Sequence, residues 1–101
     1  MKAIRDLRSN VLLTYEGELR KLDLFDARLG GADLCGADLS GILMASATLD
    51  GANLEGASLY YAFLFNTSFK RANLRRAILR GVNLQGANLR SRPHGGGPRS
   101  G

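Results

Sequence analysis

Residues 32–61 read ADLCG ADLSG ILMAS ATLDG ANLEG ASLYY, six successive blocks of five built to one pattern. A small residue opens all but one, a large apolar residue stands in the middle, and glycine often closes. The register continues in both directions without a break, so that residues 22–91 form fourteen units. Their centres are Leu24, Leu29, Leu34, Leu39, Met44, Leu49, Leu54, Leu59, Leu64, Phe69, Leu74, Leu79, Leu84 and Leu89. Two positions earlier the residue is alanine in ten of the fourteen, the exceptions being Leu22, Ile42, Thr67 and Val82. The position between is often Asp or Asn, as in Asp33, Asp38, Asn53, Asn73, Asn83 and Asn88.

A period of five suits neither regular element. On an α-helix five residues advance about 500°, so successive leucines step around the rod by roughly 140° and make no stripe. On a straight strand an odd period sends alternate leucines to opposite faces, and one core could not collect them. The chain must therefore turn a corner in every unit, with its small and large residues inward and a closing residue able to take φ > 0. Such a chain winds, and successive windings stack at the strand spacing of about 4.8 Å.

Units such as Ala32-Asp33-Leu34-Cys35-Gly36 and Ala52-Asn53-Leu54-Glu55-Gly56 resemble those of pentapeptide-repeat proteins, and the resemblance covers residues 22–91. It implies an all-β fold, a right-handed quadrilateral β-helix with four units per coil and about 3.5 coils, roughly 17 Å tall at the usual strand spacing. Ile42, Thr67 and Phe69 depart from the pattern and are expected to distort their coils locally.

The chain has 101 residues, room for one domain. Residues 1–21 are expected to cap the first coil, with a short strand over Val11–Tyr15, a turn at Glu16-Gly17, and Gly17–Lys21 as a degenerate unit with Leu19 inward. Residues 92–101 carry His94, Pro93, Pro98 and three consecutive glycines and read as a flexible basic tail. No apolar run approaches the length of a membrane span, and Val11-Leu12-Leu13 is too short for a secretory signal. The expected location is cytoplasmic, which the lone Cys35 fits.

Stacking residues twenty apart sorts the outward positions into columns. One side collects Phe25, Leu43, Ala45, Phe63 and Phe65, with Tyr60 and Tyr61 just before its corner. Several exposed aromatics on one side of a small protein mark a surface that something covers. Two readings are open: the N-terminal segment docks there, or a protein partner or second copy does.

Charge is segregated: residues 1–21 carry net +2, 22–69 net −5 and 70–101 net +8. Lys70, Arg71, Arg75, Arg76 and Arg80 circle one coil with Arg90 above Lys70, a basic collar. It keeps the open end soluble, with Asp50 under Lys70 and Glu55 under Arg75 as modest pairs, or it binds a polyanion such as nucleic acid. The family resemblance also raises mimicry of duplex DNA toward topoisomerases, but the acidic stretch here is short and joined to a basic end.

Catalytic constellations are missing. His94, the single histidine, lies in the glycine-rich tail, and no Cys-rich metal spacing or phosphate-binding glycine loop occurs. The expectation is a non-enzymatic structural or protein-interaction module with no cofactor, no membrane span and no small-molecule substrate.

Overall fold

The computed structural model describes residues 1–90. Ten parallel bridges join residues 20 apart, from Asp23 with Leu43 through Asn53 with Asn73 to Ser68 with Asn88. The backbone therefore returns over itself every four units. Each circuit lends carbonyls to the one before: the N–H of a central residue and of the closing residue two on donate to the next circuit, as in Leu54 to Asn73 at 2.8 Å and Gly56 to Arg75 at 2.9 Å. In return the N–H preceding each centre reaches back, as in Asn73 to Ala52 at 2.9 Å.

The corners follow from the closing residue. At each fifth position from Asp26 to Gly86, φ lies between 56° and 73°. The next N–H then donates to the carbonyl of the centre, as in Ala57 to Leu54 at 3.0 Å, the form of turn in which the third residue takes φ > 0. Six of these corners are not glycine, among them Tyr61, Arg71 and Arg76.

The Asp and Asn residues before the centres serve these corners. The ladder leaves the N–H just after each centre without a backbone partner, and the side chain two residues earlier accepts it. Asp33 takes the Cys35 N–H at 3.3 Å, Asn53 that of Glu55 at 3.0 Å and Asn73 that of Arg75 at 3.0 Å. Short side chains with an oxygen at this reach make such Asx turns, which is why the position favours Asp and Asn.

The ten centres from Leu24 to Phe69 are buried, with Ala32, Ala47, Ala52, Ala57 and Ala62 between them, while Ala27 and Ala37 are half-buried. The last four are not: Leu74 and Leu84 are half-buried, and Leu79 and Leu89 are 37% and 49% exposed. The expectation of fourteen equivalent inward centres fails there because no further circuit lies above them among the described residues. The distortions expected at odd residues are small. Phe69 is buried with ordinary hydrogen bonds, and the corner bonds donated by Ile42 and Thr67 lengthen only to 3.1 and 3.2 Å. The Thr67 hydroxyl donates to the Met44 carbonyl at 2.6 Å, and the corner bond that carbonyl takes from Ala47 stretches to 3.3 Å.

The N-terminal residues form an antiparallel hairpin of β1 (Lys2–Arg5) and β2 (Val11–Tyr15), followed by a 3-10 turn at Leu19–Lys21. The strand over Val11–Tyr15 agrees with the sequence reading; β1 was not foreseen, and Leu19–Lys21 is a helical turn where a degenerate extended unit was expected. Asp6 fixes the hairpin's turn by accepting the N–H groups of Arg8 and Asn10, both at 2.9 Å, and the Asn10 side-chain amide. Those bonds hold the Asp6 carboxyl below the usual aspartate range. The hairpin lies on the edge of the first circuit: Asp33 donates to the Arg5 carbonyl at 2.7 Å, Leu7 to that of Gly31 at 2.9 Å, and Ile4 enters the core. The proposed tail, 92–101, lies outside the described residues, as does Ser91.

Candidate functional site

With four units to a circuit, each of the four sides stacks every twentieth residue. The first side carries Asp23, Leu43, Phe63 and Asn83 in one column and Phe25, Ala45, Phe65 and Gln85 in the next. Asp23 and Asn83 make the usual Asx bond, to the N–H groups of Phe25 and Gln85. Leu43 and Phe63, between them, cannot. The groove that results holds about 380 Å³ and is lined by Asp23, Phe25, Leu43, Ala45, Phe63 and Phe65. Phe25 is 65% exposed, Leu43 47% and Phe63 42%, whereas Phe65 is half-buried and meets the Phe63 ring edge-on at 6.1 Å.

The N-terminal segment does not cover this groove. Its hairpin pairs at Ala32 on the third side, and Tyr15, Leu19 and Arg20 lie against Ala37 and Asp38 on the fourth. Arg20 approaches Asp38 at 4.0 Å, and the bond from Ser40 with this guanidinium nearby holds the Asp38 carboxyl low. Of the two readings of the aromatic side, docking by this segment is thus excluded. Tyr60 and Tyr61 stand at the corner that closes the second circuit, and the exposed Tyr61 ring occupies the space where a Cβ on Gly81 would fall, 2.4 Å from two of its carbons.

Lys70, Arg71, Arg75, Arg76, Arg80 and Arg90 are all exposed and ring the last described circuit. Arg71 donates its N–H to the Arg90 carbonyl at 3.0 Å, which stacks Arg90 over Lys70 as the register requires. The pairs expected beneath them differ. Glu55 meets Arg76 at 3.7 Å, not Arg75, and accepts the Asn73 side-chain amide on its other oxygen at 3.3 Å. Asp50 accepts the Lys70 backbone N–H at 3.1 Å and the Ser68 hydroxyl, leaving the Lys70 ammonium aside. Arg76 is the one collar residue with a carboxylate partner among the described residues.

Cys35 is exposed and alone. Among the described residues no three His, Cys, Asp or Glu side chains gather to hold a metal, and no helix is long and apolar enough to cross a membrane.

Comparison with known proteins agrees with the repeat. No curated protein matches the chain. Two solved structures resemble it: alr5209, a pentapeptide repeat protein from Nostoc Pcc 7120, at 36% identity over 61% of this chain, and Rfr23, a pentapeptide repeat protein from the cyanobacterium Cyanothece 51142, at 28% over 69%. The TM-scores are 0.26 and 0.31, and the chain spans 64% and 60% of those two proteins, less than two thirds of either. The family model for pentapeptide repeats matches in eight copies over residues 23–59 and 59–91, most of the chain. The chain belongs to the pentapeptide-repeat family, whose fold is a right-handed quadrilateral β-helix.

Proposed function

We propose that this protein is a non-enzymatic interaction module, a β-helix of about 3.5 coils capped by residues 1–21 that docks a protein through the groove of Phe25, Leu43, Phe63 and Phe65. The observation that carries this is the exposure of that groove on the side where two large apolar residues in succession, Leu43 and Phe63, replace the Asx pattern. Leu43 and Phe63 leave the following N–H without the side-chain bond that Asp23 and Asn83 provide, and they place apolar surface in water instead. Such a departure from a local rule costs stability unless something covers it. A groove of about 380 Å³ admits one or two apolar side chains of an opposing surface, the anchor-in-pocket arrangement that concentrates binding energy. The occupant is a second copy or a different protein.

Sedimentation and affinity capture from the native host, with the wild type beside Phe63→Asp, separate these. A mass that falls to the monomer in the variant identifies a second copy, and a captured protein lost from the variant identifies a partner. A strict monomer whose Phe63→Asp variant keeps the same stability and the same captured proteins would overturn the reading.

A further inference from the structure

The first side has four rungs, all among the described residues: Asp23 and Phe25 lie on the lowest, Asn83 and Gln85 on the highest. Its two middle rungs differ in size at each outward column. Tyr61, 63% exposed, stands over Gly41 at the corner, Phe63 over Leu43, and Phe65 over Ala45. The upper of the two therefore projects where the lower recedes. Charge is graded along the same direction. Residues 22–69 carry net −5, with the hairpin segment adding only +2 at that end, whereas residues 70–90 hold six basic side chains and no acidic one.

We propose that the groove receives a second copy of this chain, turned end for end about a two-fold axis that runs across the first side between its two middle rungs. This rests on the groove being an interaction surface and names its occupant. A two-fold contact is self-complementary: if one residue meets a second, the second meets the first. About this axis each residue faces its own column in the other copy. Phe65 of each copy fills the space over the other's Ala45, Phe63 meets Leu43, and Tyr61 meets Gly41, where an added methyl would find nothing within 4 Å. At the rims Asp23 meets Asn83, a carboxylate against an amide that can donate to it, and Phe25 meets Gln85. The same axis lays each copy's collar beside the other's acidic rungs, opposite charges that steer the encounter and fix its sense. A parallel pairing would set collar beside collar and Phe63 against Phe65. The face is about 19 Å tall and about 10 Å wide, small beside the roughly 800 Å² per copy of a standard interface, so the dimer is a weak one of micromolar affinity.

Exchanging the two rim residues tests the sense of the pairing. Asn83→Asp and Asp23→Asn each keep an oxygen for the N–H two residues on, so the variants hold the wild-type thermal midpoint. Sedimentation equilibrium of the full chain, from about 5 µM to about 1 mM, reads the dimer. The wild type is expected to pass from monomer to dimer over that range, and Phe63→Asp to stay monomeric. Asn83→Asp sets a carboxylate against the other copy's Asp23 at both ends of the interface and should weaken the dimer about 5-fold. The double variant Asp23→Asn, Asn83→Asp restores one carboxylate and one amide at each contact and should return to the wild-type affinity. Three results overturn the proposal: a wild type monomeric to about 1 mM, a dimer indifferent to Asn83→Asp, or a double variant as weak as the single one. A monomeric wild type removes the second copy alone, because the groove reading then stands or falls on a captured protein lost in Phe63→Asp.

Discussion

Gly51 and Gly81 occupy the same place in their units, with φ of 70° and 73°, yet a methyl group added to each would meet different surroundings. At Gly51 there is nothing within 4 Å, whereas at Gly81 the new Cβ would fall 2.4 Å from two carbons of the Tyr61 ring. Gly51→Ala therefore measures the backbone alone. A left-handed L-residue costs about 1–2 kcal/mol, and the smaller conformational freedom of alanine in the unfolded chain returns about 0.4–1 of it. A net loss near 1 kcal/mol is expected. Gly81→Ala carries the same loss and must also swing the Tyr61 ring off its rotamer, about 0.5–1.5 kcal/mol more. The sum, about 2 kcal/mol, is a fall in thermal midpoint of roughly 8–16 °C for a domain of this size, against about half that for Gly51→Ala. The background Tyr61→Ala leaves the left-handed backbone at residue 61 occupied by an L-residue and removes only the ring. In that background Gly81→Ala should fall to the cost of Gly51→Ala, a coupling of about 1 kcal/mol in a double-mutant cycle. Urea unfolding followed by far-ultraviolet circular dichroism measures all five proteins. Equal costs at the two glycines, or a coupling within about 0.3 kcal/mol of zero, would refute the placement of Tyr61 over Gly81.

Leu54→Ala, in the filled part of the stack, should cost about 3 kcal/mol, while Leu89→Ala, half-exposed on the open edge, should cost about 1, both read as shifts in urea midpoint. Thr67→Val keeps the shape but removes the hydroxyl bond to Met44, and should cost about 1 kcal/mol by the same assay. Asp6 and Asp38 have carboxyls held below the usual 3.8, so the stability they contribute is fully present above that value and is lost as pH falls through their lowered values in the folded chain. Urea midpoints of wild type and Asp6→Asn should therefore differ near neutrality and converge as the pH falls below 3.8 and through the lowered folded value; a constant gap would exclude this role. Leu43→Asn restores the side-chain acceptor for the Ala45 N–H and should leave the isolated chain as stable or up to about 1 kcal/mol more stable, while weakening capture of whatever occupies the groove. A loss of stability above about 1 kcal/mol would show that Leu43 serves the fold.

The period of five was enough to place Leu24 to Phe69 in one core, because no helix or straight strand can gather side chains at that spacing and a winding chain can. It also placed Phe63 over Leu43 and Arg90 over Lys70, since a stack repeats whatever its register dictates. Other features depend on contacts that no local pattern encodes. β1 holds a single large apolar residue, Ile4, so no alternation marks it as a strand, whereas its partner Val11–Tyr15 was legible from its own apolar residues. Glu55 pairs with Arg76 and with the Asn73 amide, one on each carboxylate oxygen, a choice that a column of residues twenty apart does not specify. The exposure of Leu79 and Leu89 is set by what lies above them, since the inward alanine and leucine of their units are the same as those around Leu59 and Leu49. The role of Asp33, Asn53 and Asn73 was hidden for a similar reason: the N–H each one accepts is left over by a ladder that exists only once the circuits stack.

That same ladder explains why recognition in this molecule falls on its outside. The ten centres from Leu24 to Phe69 are buried side by side, so the interior of the stack is occupied by its own side chains. What varies freely is the outward residue before or after each centre and the finish of the two edges. On the first side, the Asx residues Asp23 and Asn83 bracket Leu43 and Phe63, so the apolar surface is confined to the height of the groove. The third and fourth sides are closed at the first circuit by the hairpin and carry the arginines at the last. Phe25 lines the groove on the same first circuit that the hairpin edges, one side round from Tyr15 and Leu19, so groove and cap are neighbours on adjoining faces of one rigid stack.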